Sequence, residues 1–162
     1  MALLKAWPHH EKLELHIGKW SSGFSEQEIK IIIAVALNNC VHHKSLKIIG
    51  YLLTSEKIFL IVTGSRKHVD DVLTAFNKEI AQAITEMRNS DKIDLDDLYE
   101  EHPFTNQYLI QLITGQKIEL RYYNAEVERL KDKVSNANFC SAMDYAGAKG
   151  PVLVTTKWKF SP

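Results

Sequence analysis

Apolar and polar residues alternate over 12–19, with Leu13, Leu15 and Ile17 on one side and Glu14, His16 and Gly18 on the other, the period of a half-buried strand. Ser25-Glu26-Gln27-Glu28 has the form of a capping box and predicts a helix start, followed by a stripe of Ile29, Ile33, Ala36 and Cys40. Two almost wholly apolar runs, 46–53 and 58–62, are separated only by Thr54, Ser55, Glu56 and Lys57, which predicts adjacent strands joined tightly. Ser65 then opens a long helix whose stripe is Val69, Leu73, Phe76, Ile80, Ala83 with Ile84, and Met87. An acidic loop is predicted over 89–102, holding Asp91, Asp94, Asp96, Asp97, Glu100 and Glu101. Residues 107–113 read as a fourth strand. Residues 115–134 read as a last helix with Leu120, Tyr123, Val127, Leu130 and Val134 on its apolar face. The tail ends in a strand-like piece over 152–160.

This order predicts an α+β fold: a ferredoxin-like β-α-β-β-α-β antiparallel sheet with an additional C-terminal helix and tail. A chain of 162 residues is the size of one domain, here 1–162, with a core over about 12–134 and a tail over 135–162. The arrangement hosts many unrelated functions, so chemistry must come from particular residues.

Composition narrows the choice. Twenty Lys and Arg balance twenty Asp and Glu, which argues against a protein that coats nucleic acid by bulk charge but leaves room for a local basic patch. Cys40 and Cys140 lie far apart and in no metal-ligand spacing, the pattern of free buried thiols in a reducing compartment. The start carries Lys5 too early for a signal peptide, and the uncharged stretch 31–43 falls short of the roughly 20 residues a membrane span needs. The expectation is a cytoplasmic protein with no membrane partner. Walker loops, Gly-x-Gly-x-x-Gly, serine and cysteine nucleophile patterns and an EF-hand loop are all missing from the sequence.

Three segments, in order, carry a resemblance: Leu15-His16-Ile17; Gly50-Tyr51-Leu52-Leu53-Thr54-Ser55-Glu56-Lys57-Ile58-Phe59; and Cys140-Ser141-Ala142-Met143-Asp144-Tyr145-Ala146-Gly147. They resemble the single-tyrosine HUH transposases, above all the REP-associated tyrosine transposases. That family has an opening Tyr-His-Val strand, a Gly-Tyr-x-x-Met-Pro-Asn-His-hydrophobic-His segment and a Ser-Ser-x-x-x-Tyr-x-Gly tail. The resemblance covers about residues 12–150. It implies cleavage and transfer of single-stranded DNA in transposition. Two histidines hold a divalent metal such as Mg or Mn, and a tyrosine hydroxyl attacks the polarised phosphodiester. Hairpin or single-stranded DNA is the implied partner. Family members occur as dimers or monomers, so a homodimer is among the implied assemblies.

The histidine pair is where this chain departs. Positions i and i+2 of a strand share a face, so two imidazoles there converge on one ion. Here those positions hold Lys57 and Phe59. An ammonium offers no lone pair and a phenyl ring no ligand atom. The degenerate site predicts no bound metal, no cofactor and no strand cleavage.

Lys57 reads either as a cation that contacts a DNA phosphate or as a solvated turn lysine. Phe59, with Ile61, makes the second face of its strand apolar, which predicts that the last helix covers it. Leu120-Arg121-Tyr122-Tyr123 resembles the approach to the family nucleophile, with Tyr122 at that position and Tyr123 as the alternative; aligning on the tail instead puts Leu120 there. An amphipathic core tyrosine is the competing reading. His16 shares a strand face with Glu14 and can approach the Lys57 strand. His42 and His43 end a helix, where imidazolium suits the dipole. Arg66, Lys67 and His68 follow the Ser65 cap and, with Lys44 and Lys47 on the same rim, form the candidate DNA-binding set. A solvated helix start is the alternative. The remaining function classes are a catalytically inactive transposase-like module that binds structured single-stranded nucleic acid, a protein-interaction module that does not, and an enzyme that keeps Tyr122 with an unconventional metal site.

Overall fold

The computed structural model describes residues 9–88 and 93–156. Strand β1 is His10–Ile17, followed by a 3-10 turn at Lys19–Gly23 and helix α1, Glu26–His43. The Ser25 hydroxyl accepts from the Glu28 amide at 3.1 Å, and the Glu28 carboxylate accepts from the Ser25 amide at 2.8 Å, so the capping box forms as read. Strands β2, Ile48–Leu53, and β3, Lys57–Thr63, are buried nearly end to end. Helix α2, Arg66–Arg88, starts where the Ser65 hydroxyl accepts from the His68 amide. Val69, Phe76, Ile80 and Ile84 of its stripe are buried and Leu73 and Ala83 partly so, whereas Met87 is exposed.

The fold is α+β around a four-stranded antiparallel sheet, in the order β2-β3-β1-β4. The fourth strand is not 107–113. It is β4, Tyr99–Pro103, within the segment expected to be loop. Its sequence Tyr-Glu-Glu-His-Pro has no apolar alternation, because an edge strand beside one neighbour is kept polar to deter further pairing. Asp91 of the expected acidic loop lies outside the described residues.

Residues 107–113 form helix α3 instead, Gln107–Ile113. Asn106 caps it through the Leu109 amide at 3.1 Å, and the buried side chains Leu109, Ile110 and Ile113 have helical spacing. The expected helix over 115–134 is shorter: α4 spans Ala125–Asn136, capped by Asn124. Leu120 and Tyr123 therefore lie outside it, in an irregular stretch, and do not share its buried face with Val127 and Val134.

The register divides the sheet into two faces. Leu13 and Leu15 of β1 pair with Leu60 and Ile58 of β3 and sit in the core beneath α1 and α2. On the reverse face, Ile49, Leu52, Phe59 and Ile61 pack with Phe104, with Leu109, Ile110 and Ile113 of α3, and with Val134 of α4. Cover on that face comes from α3 and α4 together, over β2 and β3. The reverse face of β1 carries Lys12, Glu14 and His16, opposite Ile61, Phe59 and Lys57.

The tail closes the β2 edge. Cys140 bridges Leu52, the Leu53 amide donates to the Phe139 carbonyl, and the Ser141 amide donates to the Tyr51 carbonyl. Helix α5, Ala142–Tyr145, follows, and the Tyr145 hydroxyl donates to the Ile49 carbonyl at 2.6 Å. Asn38 of α1 clasps the chain beyond, donating to the Pro151 carbonyl and accepting from the Leu153 amide. No strand forms over 152–156, and 157–160 lie outside the described residues.

Under this tail the Tyr51 hydroxyl and Asp144 Oδ2 are buried without a well-formed hydrogen bond. A Cβ at Gly150 would stand 3.1 Å from each, a tight approach that glycine avoids. Burial, then the Asp144 charge, pushes the Tyr51 phenol up; burial pushes the Asp144 carboxyl up against the opposing Gly150 amide. A carboxyl raised in the folded state favours folding when protonated, and this contribution fades as pH rises from about 4 through the raised value. Asp144→Asn is therefore expected to melt at a higher temperature than the parent at pH 7, with the gap closing as the buffer is acidified. An Asn variant that melts lower at pH 7 would show that the carboxylate is well solvated.

Candidate nucleic-acid interface

On the open part of the reverse face, the β1 register sets Glu14 opposite His102 and His16 opposite Glu100 of β4, with Lys57 across from His16 on β3. Glu14 Oε2 lies 2.6 Å from His16 Nε2 and 3.6 Å from Lys57 Nζ. The His16 and His102 rings stack with centroids 3.9 Å apart, and Glu100 Oε1 lies 2.6 Å from His102 Nε2. Lys57 is thus half-exposed and shares a carboxylate with His16, so its charge is partly matched within the protein. Phe59, next on this face, is 7% exposed and packs against Phe104 at 5.1 Å between centroids. Among the described residues no group of three or more His, Cys, Asp or Glu side chains is disposed to hold a metal ion.

The sequence reading missed His102 and Glu100 because it took β4 for loop. The signal was a polar edge strand ending at Pro103. Beside this network a cleft of about 690 Å³, lined by His16, Lys19, Trp20, Asp94, Asp97 and Glu100, opens at the end of β1.

The tyrosines expected to supply a nucleophile stand apart. Tyr122 is 67% and Tyr123 78% exposed in the stretch before α4. Neither is hydrogen-bonded to a basic or metal-ligating side chain among the described residues, so neither has the activation a phenol needs. Leu120, the alternative register, is also exposed. Both cysteines are buried, and burial pushes each thiol up to about 11, which leaves them protonated and inert.

The basic candidates fall into two places. Arg66 opens α2 and reaches Glu101 with both terminal nitrogens at 2.8 Å, while Asp70 accepts a further bond at 2.9 Å. The hydrogen bond to Glu101 raises the guanidinium further above its ordinary value. Glu101 pairs with Leu15, on the α1–α2 face, whereas Lys57 lies on the reverse face. Lys57 and Arg66 therefore do not line one groove.

Lys44, Lys47, Lys67 and His68 do come together. Lys44 caps the C-terminus of α1 after His42 and His43. The Lys47 carbonyl accepts from the Thr63 amide at the end of β3. The Gly64 amide donates to the His9 carbonyl at the start of β1, and the His68 ring lies against Gly64. One end of the sheet thus gathers the last turn of α1, the first turn of α2 and the starts of β1 and β2. Lys44, Lys47 and Lys67 are exposed, and none forms an ion pair with a carboxylate among the described residues.

No family model matches this chain, and no curated protein or solved structure is detectably similar to it. Among the described residues no helix is long and apolar enough to cross a membrane.

Proposed function

We propose that this chain is a ferredoxin-like domain of the transposase type that no longer cleaves DNA and binds structured single-stranded nucleic acid through the end of the sheet carrying Lys44, Lys47 and Lys67. Three unpaired cations on adjoining chain segments, at the end of α1, before β2 and in the first turn of α2, suit a phosphate backbone. That clustering is the observation that carries the reading. The order of strands and helices supports the fold assignment. So does the docking of two segments behind the resemblance: Ser141 Oγ accepts from the Tyr51 amide at 2.9 Å, and Tyr145 bonds Ile49. Loss of cleavage follows from Phe59 buried under α3 and α4 and from tyrosines held away from it.

The test is fluorescence anisotropy of a labelled DNA hairpin titrated with the protein at several salt concentrations. Binding is expected to weaken with salt, with a log–log slope of about −2 to −3 for three phosphate contacts. The triple substitution of Lys44, Lys47 and Lys67 by Gln is expected to abolish that slope. Absence of binding at low salt, or affinity untouched by the triple change, would sink the proposal.

A second reading, a protein-interaction module, draws on Ile31 and Val35, which are 47% and 53% exposed on the outer side of α1, and on the zero net charge. Concentration-dependent sedimentation that disappears in an Ile31→Ser, Val35→Ser variant, with no hairpin binding, would favour it.

A further inference from the structure

The same end of the molecule collects His9, His42, His43 and His68, four of the seven histidines in the chain, while His10 stands on the reverse face of β1 with Lys12. They come from three segments far apart in sequence, brought together because β1 starts, α1 ends and α2 starts at one edge. His9, His42 and His43 are exposed, and the His42 and His43 rings stand 6.3 Å apart. Fixed charges of both signs surround them: Arg66 is held by Asp70 and Glu101, Glu11 lies 3.9 Å from His9, and Asp71 is exposed on the first turns of α2, whereas Lys44, Lys47 and Lys67 form no ion pair among the described residues. Glu79, bonded to Asn39 across the α1–α2 contact, is the next carboxylate along α2. Each imidazole that gains a proton therefore adds to the charge of the unpaired lysines.

We propose that protonation of these histidines gates the binding of a polynucleotide phosphate backbone at this end, so that the surface is a pH-controlled nucleic-acid contact. The inference rests on the function proposed above and adds its regulation. Imidazoles as a class gain a proton between pH 8 and pH 5. Each proton adds a positive charge beside the unpaired lysines. Two of the imidazoles also sit in the last turn of α1, side by side and exposed. The backbone amides at the start of α2 and the lysines supply the contacts that do not titrate. Protonation adds to their attraction.

The probe is a fluorescently labelled oligothymidylate, whose bases do not titrate over the range used, bound at fixed ionic strength at pH 8.0, 7.0, 6.0 and 5.5. Affinity is expected to rise by about tenfold or more from pH 8.0 to 5.5, the size of effect that several added phosphate-facing charges produce. A His42→Gln, His43→Gln variant changes only exposed side chains. It should keep the affinity of the parent at pH 8.0 within twofold and lose most of the rise. Adding His68→Gln should flatten the profile further. Binding at pH 8.0 that stays constant down to pH 5.5 overturns the gating and leaves the binding reading standing. A rise preserved in both variants also overturns the assignment to these residues. No binding at any pH overturns both proposals together.

Discussion

Phe59→Ala is expected to lower stability by about 3–5 kcal/mol, measured by urea denaturation, because it empties a site that four elements enclose. Phe59 is buried between Ile61 and Leu52, faces Phe104 as an aromatic pair, and is roofed by α3 and α4. The aromatic pair contributes about 0.5–1.5 kcal/mol beyond the area buried. The more telling variant puts histidine at both positions of the lost pair, Lys57→His with Phe59→His. A strand places the two imidazoles on one face, yet the second would stand in an apolar cluster without a partner for its ring N–H, at a further penalty of about 1–3 kcal/mol. Manganese is expected to leave the melting temperature of this double variant unchanged, since a ligand stabilises only a folded state that binds it. A rise in melting temperature with Mn²⁺ that the single Lys57→His variant does not share would mean that α3 and α4 move aside and that the old floor is still reachable.

Ser141→Ala carries the second largest effect, about 2–3 kcal/mol, out of proportion to the loss of one oxygen. Ser141 is fully buried, its hydroxyl accepts from the Tyr51 amide at 2.9 Å and donates to the Ile113 carbonyl at 2.5 Å, and so it joins β2, the end of α3 and the tail. Alanine leaves a backbone donor and a backbone acceptor in the interior with nothing to replace them. The loss should be local as well as global. Amide exchange at Leu53 and Ser141, whose hydrogen bonds tie the tail to the β2 edge, is expected to quicken more than exchange in α2. A destabilisation under about 0.5 kcal/mol would mean that the three segments hold together without the hydroxyl.

Local rules wrote much of this fold. The capping box at Ser25, the two apolar runs that became β2 and β3, and the stripe from Val69 to Ile84 are all decided by residues within a few positions of one another, so their readings match the elements that form. Elements whose character depends on a distant neighbour were read differently. Tyr99–Pro103 is a strand only because β1 offers it an edge, and its charges, which look like loop, are what suit an edge. Residues 107–113 hold apolar side chains compatible with either period. The sheet already had its four strands, and the uncovered face of β2 and β3 required a helix there. The departure at Lys57 and Phe59 was visible in the sequence, and so was the candidate set Lys44, Arg66, Lys67 and His68. What only the tertiary structure decided is which of these residues share a surface. Arg66 is claimed by Glu101, Lys57 by Glu14 on the opposite face, and histidines separated by dozens of residues meet at one end. Sequence spacing sets the face of an element, whereas strand order and chain reversal set which faces and ends adjoin.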